Sequence, residues 1–246
     1  MIARDRTHSL ESVIALQKAL DTSIKADISP NESADNIESH TVTLVGSESP
    51  IPFQIVEGKV VANLGEIPPG IGSGIFLTSD FVLTAKHVAG EVKKLQPYLN
   101  ETFFDTLAEG KIPPQMYHFL IVDSKGTAYF VDPTVPIDSE LTDTALLRII
   151  SPYKSEPMRY NKFFGEFKPG QKLGIVGALE DYSIKKENTR VISPSQKIDT
   201  PDKPFISDCF TCEVAGKPGY SGGPFLTERG EFAGILTKGG PDMIGG

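Results

Sequence analysis

Gly72-Ser73-Gly74-Ile75-Phe76-Leu77-Thr78-Ser79-Asp80-Phe81-Val82-Leu83-Thr84-Ala85-Lys86-His87-Val88 is the stretch on which the fold reading turns. Two apolar runs, GSGIFLT (72–78) and FVLTA (81–85), stand two residues apart and read as a hairpin of two strands. The second run ends in a histidine at the start of a short helical turn.

Similar runs extend outward on both sides. TVTLV (41–45) and FQIVEGKVV (53–61) precede the hairpin. YHFLIVD (117–123), TAYFVD (127–132), DTALLRII (143–150), QKLGIVGAL (171–179), NTRVIS (188–193), FTCEV (210–214), GPFLT (223–227) and EFAGILT (231–237) follow it. Gly, Pro, Asn or Asp separates most of them, in keeping with 23 Gly and 19 Pro overall. Short strands without βαβ alternation predict an antiparallel all-β barrel or sandwich. A chain of 246 residues can bury one large core or two small ones. Residues 97–110, PYLNETFFDTLAEG, break the pattern and read as a short inserted helix.

The N-terminal part is different. Leu10, Val13, Leu16, Leu20 and Ile24 recur at helical spacing over residues 9–26, Ile14 widens the stripe, and Ser9 is a suitable N-cap. Residues 28–40, ISPNESADNIESH, are polar and acidic and read as a linker. Packing on its own domain is the ordinary role for such a helix; self-association or a removable pro-segment are the others. The opening MIARDRTHSLESV lacks the apolar core of a secretory signal, which favours the cytoplasm unless a signal has been removed.

A net charge of −8 builds no case for binding nucleic acid or an anionic membrane. No apolar run approaches the roughly 20 residues that span a bilayer. Cys209 and Cys212 are the only cysteines. Their C-x-x-C spacing has neither a second pair nor a nearby histidine, so two buried thiols are expected rather than a redox or zinc site.

Lys217-Pro218-Gly219-Tyr220-Ser221-Gly222-Gly223-Pro224 carries the strongest chemical signal. A serine that attacks a carbonyl needs a base, because its own hydroxyl is a poor nucleophile. The base needs an orienting carboxylate, and the tetrahedral oxyanion needs preorganised donors. Gly219 allows a loop that turns its N–H inward, so the N–H groups of Gly219 and Ser221 are the candidate donors, with room left by Gly222 and Gly223. The same residues would also serve as a plain tight turn before GPFLT. His87 is the candidate base, since His8, His40 and His118 lack a comparable setting. Asp143, heading the apolar run Thr144-Ala145-Leu146-Leu147, is the candidate orienting carboxylate. Asp132 and Asp138 open no such run.

These three segments resemble the trypsin/chymotrypsin superfamily: G-S-G-x-x-L-T…L-T-A-x-H, D-x-A-L-L and G-x-S-G-G-P, in the order His, Asp, Ser. The resemblance covers roughly residues 41–246. It implies two antiparallel six-stranded β-barrels, the first over about 41–150 and the second over about 165–246, behind the helix and linker of 1–40. It further implies a serine endopeptidase acting on polypeptides through an acyl-enzyme, with no cofactor and no metal. Within the family pattern Thr237 supports the aspartate, and Lys238 and Gly239 pair with an extended substrate as an added strand.

Departures set the branch. No Ile-Val-Gly-Gly activation sequence is present and the disulfides of the digestive enzymes are missing, so the chain is more similar to bacterial HtrA-like or glutamyl-endopeptidase-like members. Six residues before the serine, where trypsin-like relatives carry an acid, stands Ala215, which disfavours a basic substrate side chain. A small or apolar preference is expected, with Lys217 or Lys238 as candidates to attract an acidic side chain. Nine residues follow Thr237, fewer than the strand and helix with which the family usually ends. That shortness motivates an alternative reading, a protease-fold binding module with little activity.

Overall fold

The computed structural model of the chain describes residues 35–63, 65–66, 69–95, 118–132, 137–138, 143–151, 166–179, 181–200, 203–213, 217–240 and 243–245. The helices expected over 9–26 and 97–110 lie outside these residues. In chain order the elements of the first half are α1 (Asp35–His40), β1 (Thr41–Gly46), β2 (Phe53–Val56), β3 (Lys59–Ala62), β4 (Gly70–Thr78), β5 (Phe81–Ala85), α2 (Lys86–Leu95), β6 (Phe119–Asp123), β7 (Ala128–Phe130), β8 (Ile137–Asp138) and β9 (Thr144–Arg148). The second half contains β10 (Lys172–Ala178), β11 (Ile184–Thr200), β12 (Lys203–Cys212), β13 (Pro224–Thr227), β14 (Phe232–Ile235), β15 (Lys238–Gly240) and β16 (Met243–Gly245).

The strands form two curled antiparallel sheets, the chymotrypsin-like all-β fold. The first has the order β7-β6-β1-β4-β5-β9-β8, and β2 and β3 form a separate hairpin. Past β7 the chain reaches the far edge of the same sheet: Val131 bridges Ile149, and the Ile150 N–H donates to Phe130 O at 2.9 Å. Six strands thus close on themselves, and the two-residue β8 is the seventh because it takes up β9 further along its edge. The second sheet also has seven strands, β14-β13-β10-β11-β12-β16-β15. Its outermost strands, β14 and β15, are separated in the chain only by Leu236 and Thr237. Such a short link joins opposite edges only if the sheet is curled.

Side-chain period explains how the two sheets meet. On β4, Phe76 faces the core of the first sheet with Val42, Leu44, Val82 and Leu147. Ile75 and Leu77, on the other face, join Leu146 of β9 with Val176 and Leu226 of the second sheet. Both faces of β4 are therefore buried, which is why 72–78 reads as a continuous apolar run rather than an alternating one. The second sheet encloses Leu173, Ile175, Phe210, Tyr220, Phe225 and Leu236. Tyr182, in the turn between β10 and β11, is 9% exposed and packs into a cluster of the first half with Val45, Ile51, Leu120 and Phe130. It does so with φ +66°, a left-handed conformation uncommon outside glycine.

Two local readings change. Residues 35–40 are helical rather than linker, because Ile37, 3% exposed, inserts between the two sheets with Ile75 and Val176. Thr41 Oγ1 closes this helix by donating to Ile37 O at 2.9 Å. Strands β11 and β12 extend well beyond NTRVIS and FTCEV, into a polar stretch with Pro194, Pro201 and Pro204 nearby. Register shifts between Ser193 and Gln196 accommodate a proline that a regular ladder would exclude. Cys209 and Cys212 are, as expected, buried thiols on β12 with no disulfide between them, and burial pushes the Cys212 thiol up to about 12.

Candidate active site

His87 lies in the first turn of α2, where backbone N–H groups have no intrahelical acceptor. Ala85, just before the helix, has no side-chain oxygen to cap them. Asp143, at the head of β9, supplies the missing acceptors: Lys86 N–H donates to its main-chain O at 3.0 Å, and His87 N–H to its Oδ1 at 3.1 Å. The register Ala85↔Thr144 between β5 and β9 brings it there. Asp143 Oδ2 then stands 2.7 Å from His87 Nδ1. A carboxylate acceptor assigns the proton to Nδ1 and leaves the Nε2 lone pair as the basic site of the neutral ring. The His87 side chain is 49% exposed and that of Asp143 17%, so one faces solvent while the other sits behind it.

Ser221 is carried by a pair of tight turns. Tyr220 N–H donates to Lys217 O at 3.1 Å, with Pro218 and Gly219 between and Gly219 at φ +92°. Proline followed by a left-handed glycine is the pattern of a type II turn, whose middle N–H takes no part in the turn's own bond. Tyr220 anchors the turn from below, fully buried among Leu173, Ile175 and Phe225. Its burial, reinforced by the negative charge of Glu187, pushes its phenol up to about 12. On the far side Gly222 N–H donates to Leu236 O at 2.6 Å and Leu236 N–H to Gly223 O at 2.8 Å.

Gly222 brings the halves together. At φ +86° it presses so closely on the first sheet that a Cβ would lie 2.1 Å from Ser73 O, 2.3 Å from Thr84 Oγ1 and 2.9 Å from Ala85 N. Thr84 and Ala85 directly precede Lys86 and His87, so Ser221 is seated beside the start of the helix that carries the imidazole. Ser73 N–H adds a bond of 2.7 Å to Ser221 O.

The remaining candidates are placed as follows. Gly219 and Ser221 both lie on this loop. Thr237 is buried, at 4% exposure, immediately after the Leu236 that bonds Gly222 and Gly223. Lys238 and Gly239 belong to β15, the terminal strand of its sheet among the described residues. Ala215 lies outside the described residues. Lys217 is paired with Glu187, which occupies its charge. Of the competing groups, Asp132 is 4.0 Å from Arg148, and His118 Nδ1 is 3.0 Å from Ser47 O. The final residues also form a strand, β16, which pairs with β12 and β15. Among the described residues no three His, Cys, Asp or Glu are placed to hold a metal ion.

Sequence reasoning missed Ser73. Its hydroxyl donates to Gly219 O at 2.6 Å and accepts from Ala178 N–H at 2.7 Å, although Ser73 belongs to β4 of the other half. The available signal was a lone hydroxyl between two glycines in an otherwise apolar run.

The family model of the trypsin-like peptidase domain matches residues 72–235. No curated protein matches the chain. Among solved structures it is similar to the MamO protease domain from Magnetospirillum magneticum, with 16% identity, a TM-score of 0.54, and 85% of this chain and 91% of that chain covered. It is also similar to the Rv3671c protease from M. tuberculosis in its active form, with 15% identity, a TM-score of 0.55, and 87% of this chain and 78% of that one covered. The inactive form of Rv3671c gives 14% identity and a TM-score of 0.55, covering 86% of this chain and 84% of that one. At these identities the likeness is one of fold.

Proposed function

Since the chain belongs to the trypsin-like peptidase domain family, we propose that it is a serine endopeptidase with Ser221 as nucleophile, His87 as general base and Asp143 as its orienting carboxylate. Ser221 Oγ attacks the peptide carbonyl while His87 Nε2 takes its proton, giving a tetrahedral intermediate. The N–H groups of Gly219 and Ser221 receive the oxyanion. His87 returns the proton to the leaving amine, and the acyl-enzyme on Ser221 is then hydrolysed by water that His87 deprotonates in turn. The substrate backbone adds as a strand along β15, at Lys238 and Gly239, and Thr237 lends support to the aspartate. The pairing of Lys217 with Glu187 argues against Lys217 as an acid-binding group, so small or apolar side chains remain the preferred substrates.

The observation that carries this reading is the double hold of Asp143 on His87, with Gly222 packed against the residues that lead into His87. A fluorophosphonate probe tests it, because only an activated serine reacts quickly. Labelling should be confined to Ser221, and Ser221→Ala should abolish both labelling and cleavage of an unfolded protein while keeping the fold. A folded wild-type protein that neither labels nor cleaves would instead be a binding module on a protease fold.

A further inference from the structure

We propose that Ser73 is a positioning residue for the oxyanion donors, acting from the opposite half of the molecule. This rests on the reading of Ser221 as nucleophile. Ser73 grips the loop twice, on either side of Tyr220. Its hydroxyl donates to Gly219 O at 2.6 Å and its main-chain N–H donates to Ser221 O at 2.7 Å. The first bond anchors the Gly219–Tyr220 peptide and the second the Ser221–Gly222 peptide. Between them hangs the Tyr220–Ser221 peptide, which carries the Ser221 N–H. Gly219, lacking a Cβ, has no side chain of its own to hold it in place.

The roles of the hydroxyl are fixed by its surroundings. Ser73 is fully buried, so water does not compete for it. Its oxygen accepts from Ala178 N–H at 2.7 Å, so its one proton goes to Gly219 O. One side chain therefore ties together β4, the end of β10 and the nucleophile loop. β4 also pairs with β5, which leads directly into His87. Ser73 thus sets the oxyanion donors and the base against a common reference strand. Oxyanion donors act through preorganisation, so a loosened loop loses transition-state stabilisation while substrate binding along β15 is retained.

The test compares Ser73→Ala with Ser151→Ala, a control that removes another buried hydroxyl. Ser151 Oγ accepts from Phe130 N–H at 2.7 Å, at the seam where the first sheet closes on itself. Ser73→Ala should lower kcat about 10- to 100-fold, with KM changed less than about threefold. It should weaken binding of a peptide aldehyde, which forms a tetrahedral oxyanion, by a similar factor. Ser151→Ala should leave kcat within about threefold. Amide exchange at Tyr220 and Ser221 should be about tenfold faster in Ser73→Ala than in either the wild type or the control. Unchanged kcat together with unchanged exchange would overturn the proposal. If the wild-type protein fails to label with fluorophosphonate, the nucleophile reading falls and the exchange measurement alone decides the clamp. Should Ser73→Ala not fold, Ser73→Cys, a near-isosteric but weaker donor, carries the same comparison.

Discussion

Asp143 holds His87 at two points, Oδ2 against the ring Nδ1 at 2.7 Å and Oδ1 against the main-chain N–H at 3.1 Å. One carboxylate therefore orients the imidazole and caps the helix that carries it. Two substitutions separate these tasks. Asp143→Asn keeps an oxygen for the cap but offers an N–H to the ring, forcing the wrong tautomer. Asp143→Ala removes both functions. Each should lower kcat/KM of the order of 10⁴-fold. Only the alanine variant should also lose about 1 kcal/mol of stability, measured by urea unfolding. Equal stability losses would contradict the capping role.

Gly222→Ala should be far more damaging than Gly170→Ala. Both glycines have positive φ, +86° and +80°, so both substitutions incur left-handed strain of about 1–2 kcal/mol. A Cβ at Gly170 meets nothing within 4 Å, whereas one at Gly222 would lie 2.1 Å from Ser73 O. Gly222→Ala must therefore push the two halves apart at the candidate site. Its unfolding free energy should fall by more than about 2 kcal/mol, with fluorophosphonate labelling slowed at least about 100-fold. Labelling at the wild-type rate would show that the close approach is dispensable.

Alkaline stability should be limited by three buried acids, the Cys212 thiol and two tyrosines, of which the tyrosines act over the highest pH range. Burial pushes the phenols of Tyr220 and Tyr182 up to about 12, from an ordinary value near 10. A raised folded-state value means that the unfolded chain releases the proton first. The tyrosines' stabilisation is complete below pH 10 and is lost as pH rises from about 10 to about 12, by about 1.4 kcal/mol for each unit of difference. Urea midpoints measured from pH 8 to 12 should fall less steeply in Tyr182→Phe and Tyr220→Phe. An identical slope in the double variant would assign the alkaline loss to other groups.

Ile37→Ala should cost about 2 to 5 kcal/mol although its neighbours look like linker. The side chain is 3% exposed and wedges between Ile75 and Leu77 on one side and Val176 and Leu226 on the other. Thermal or urea unfolding measures the loss. A change below about 0.5 kcal/mol would mean that the wedge does not contribute.

What the sequence made legible follows from local chemistry. The hairpin 72–85 and the glycines around Ser221 are visible because strand period, turn residues and positive φ each leave a mark in adjacent positions. The tail of β11 and the start of β12 left none, since they are polar and a bulge absorbs the irregularity near Pro194. Ile37 was hidden because a single apolar residue in an acidic stretch has no period. Ser73 was hidden for a different reason: its partners, Gly219 and Ala178, are more than a hundred positions away in the chain. Asp143 was placed by the order of motifs, but its capping of α2 needed the register of β5 against β9.

Tyr182 has a bearing on how the molecule can be divided. It grows from the hairpin of one half and fills a socket in the other, beside Phe130 and Leu120. A fragment ending near Ser151 would expose that socket to water, and the complementary fragment would carry a tyrosine with nowhere to go. The polypeptide is therefore poorly suited to being split into autonomous halves, and an engineer seeking two-piece reconstitution should cut elsewhere, where no side chain crosses between them.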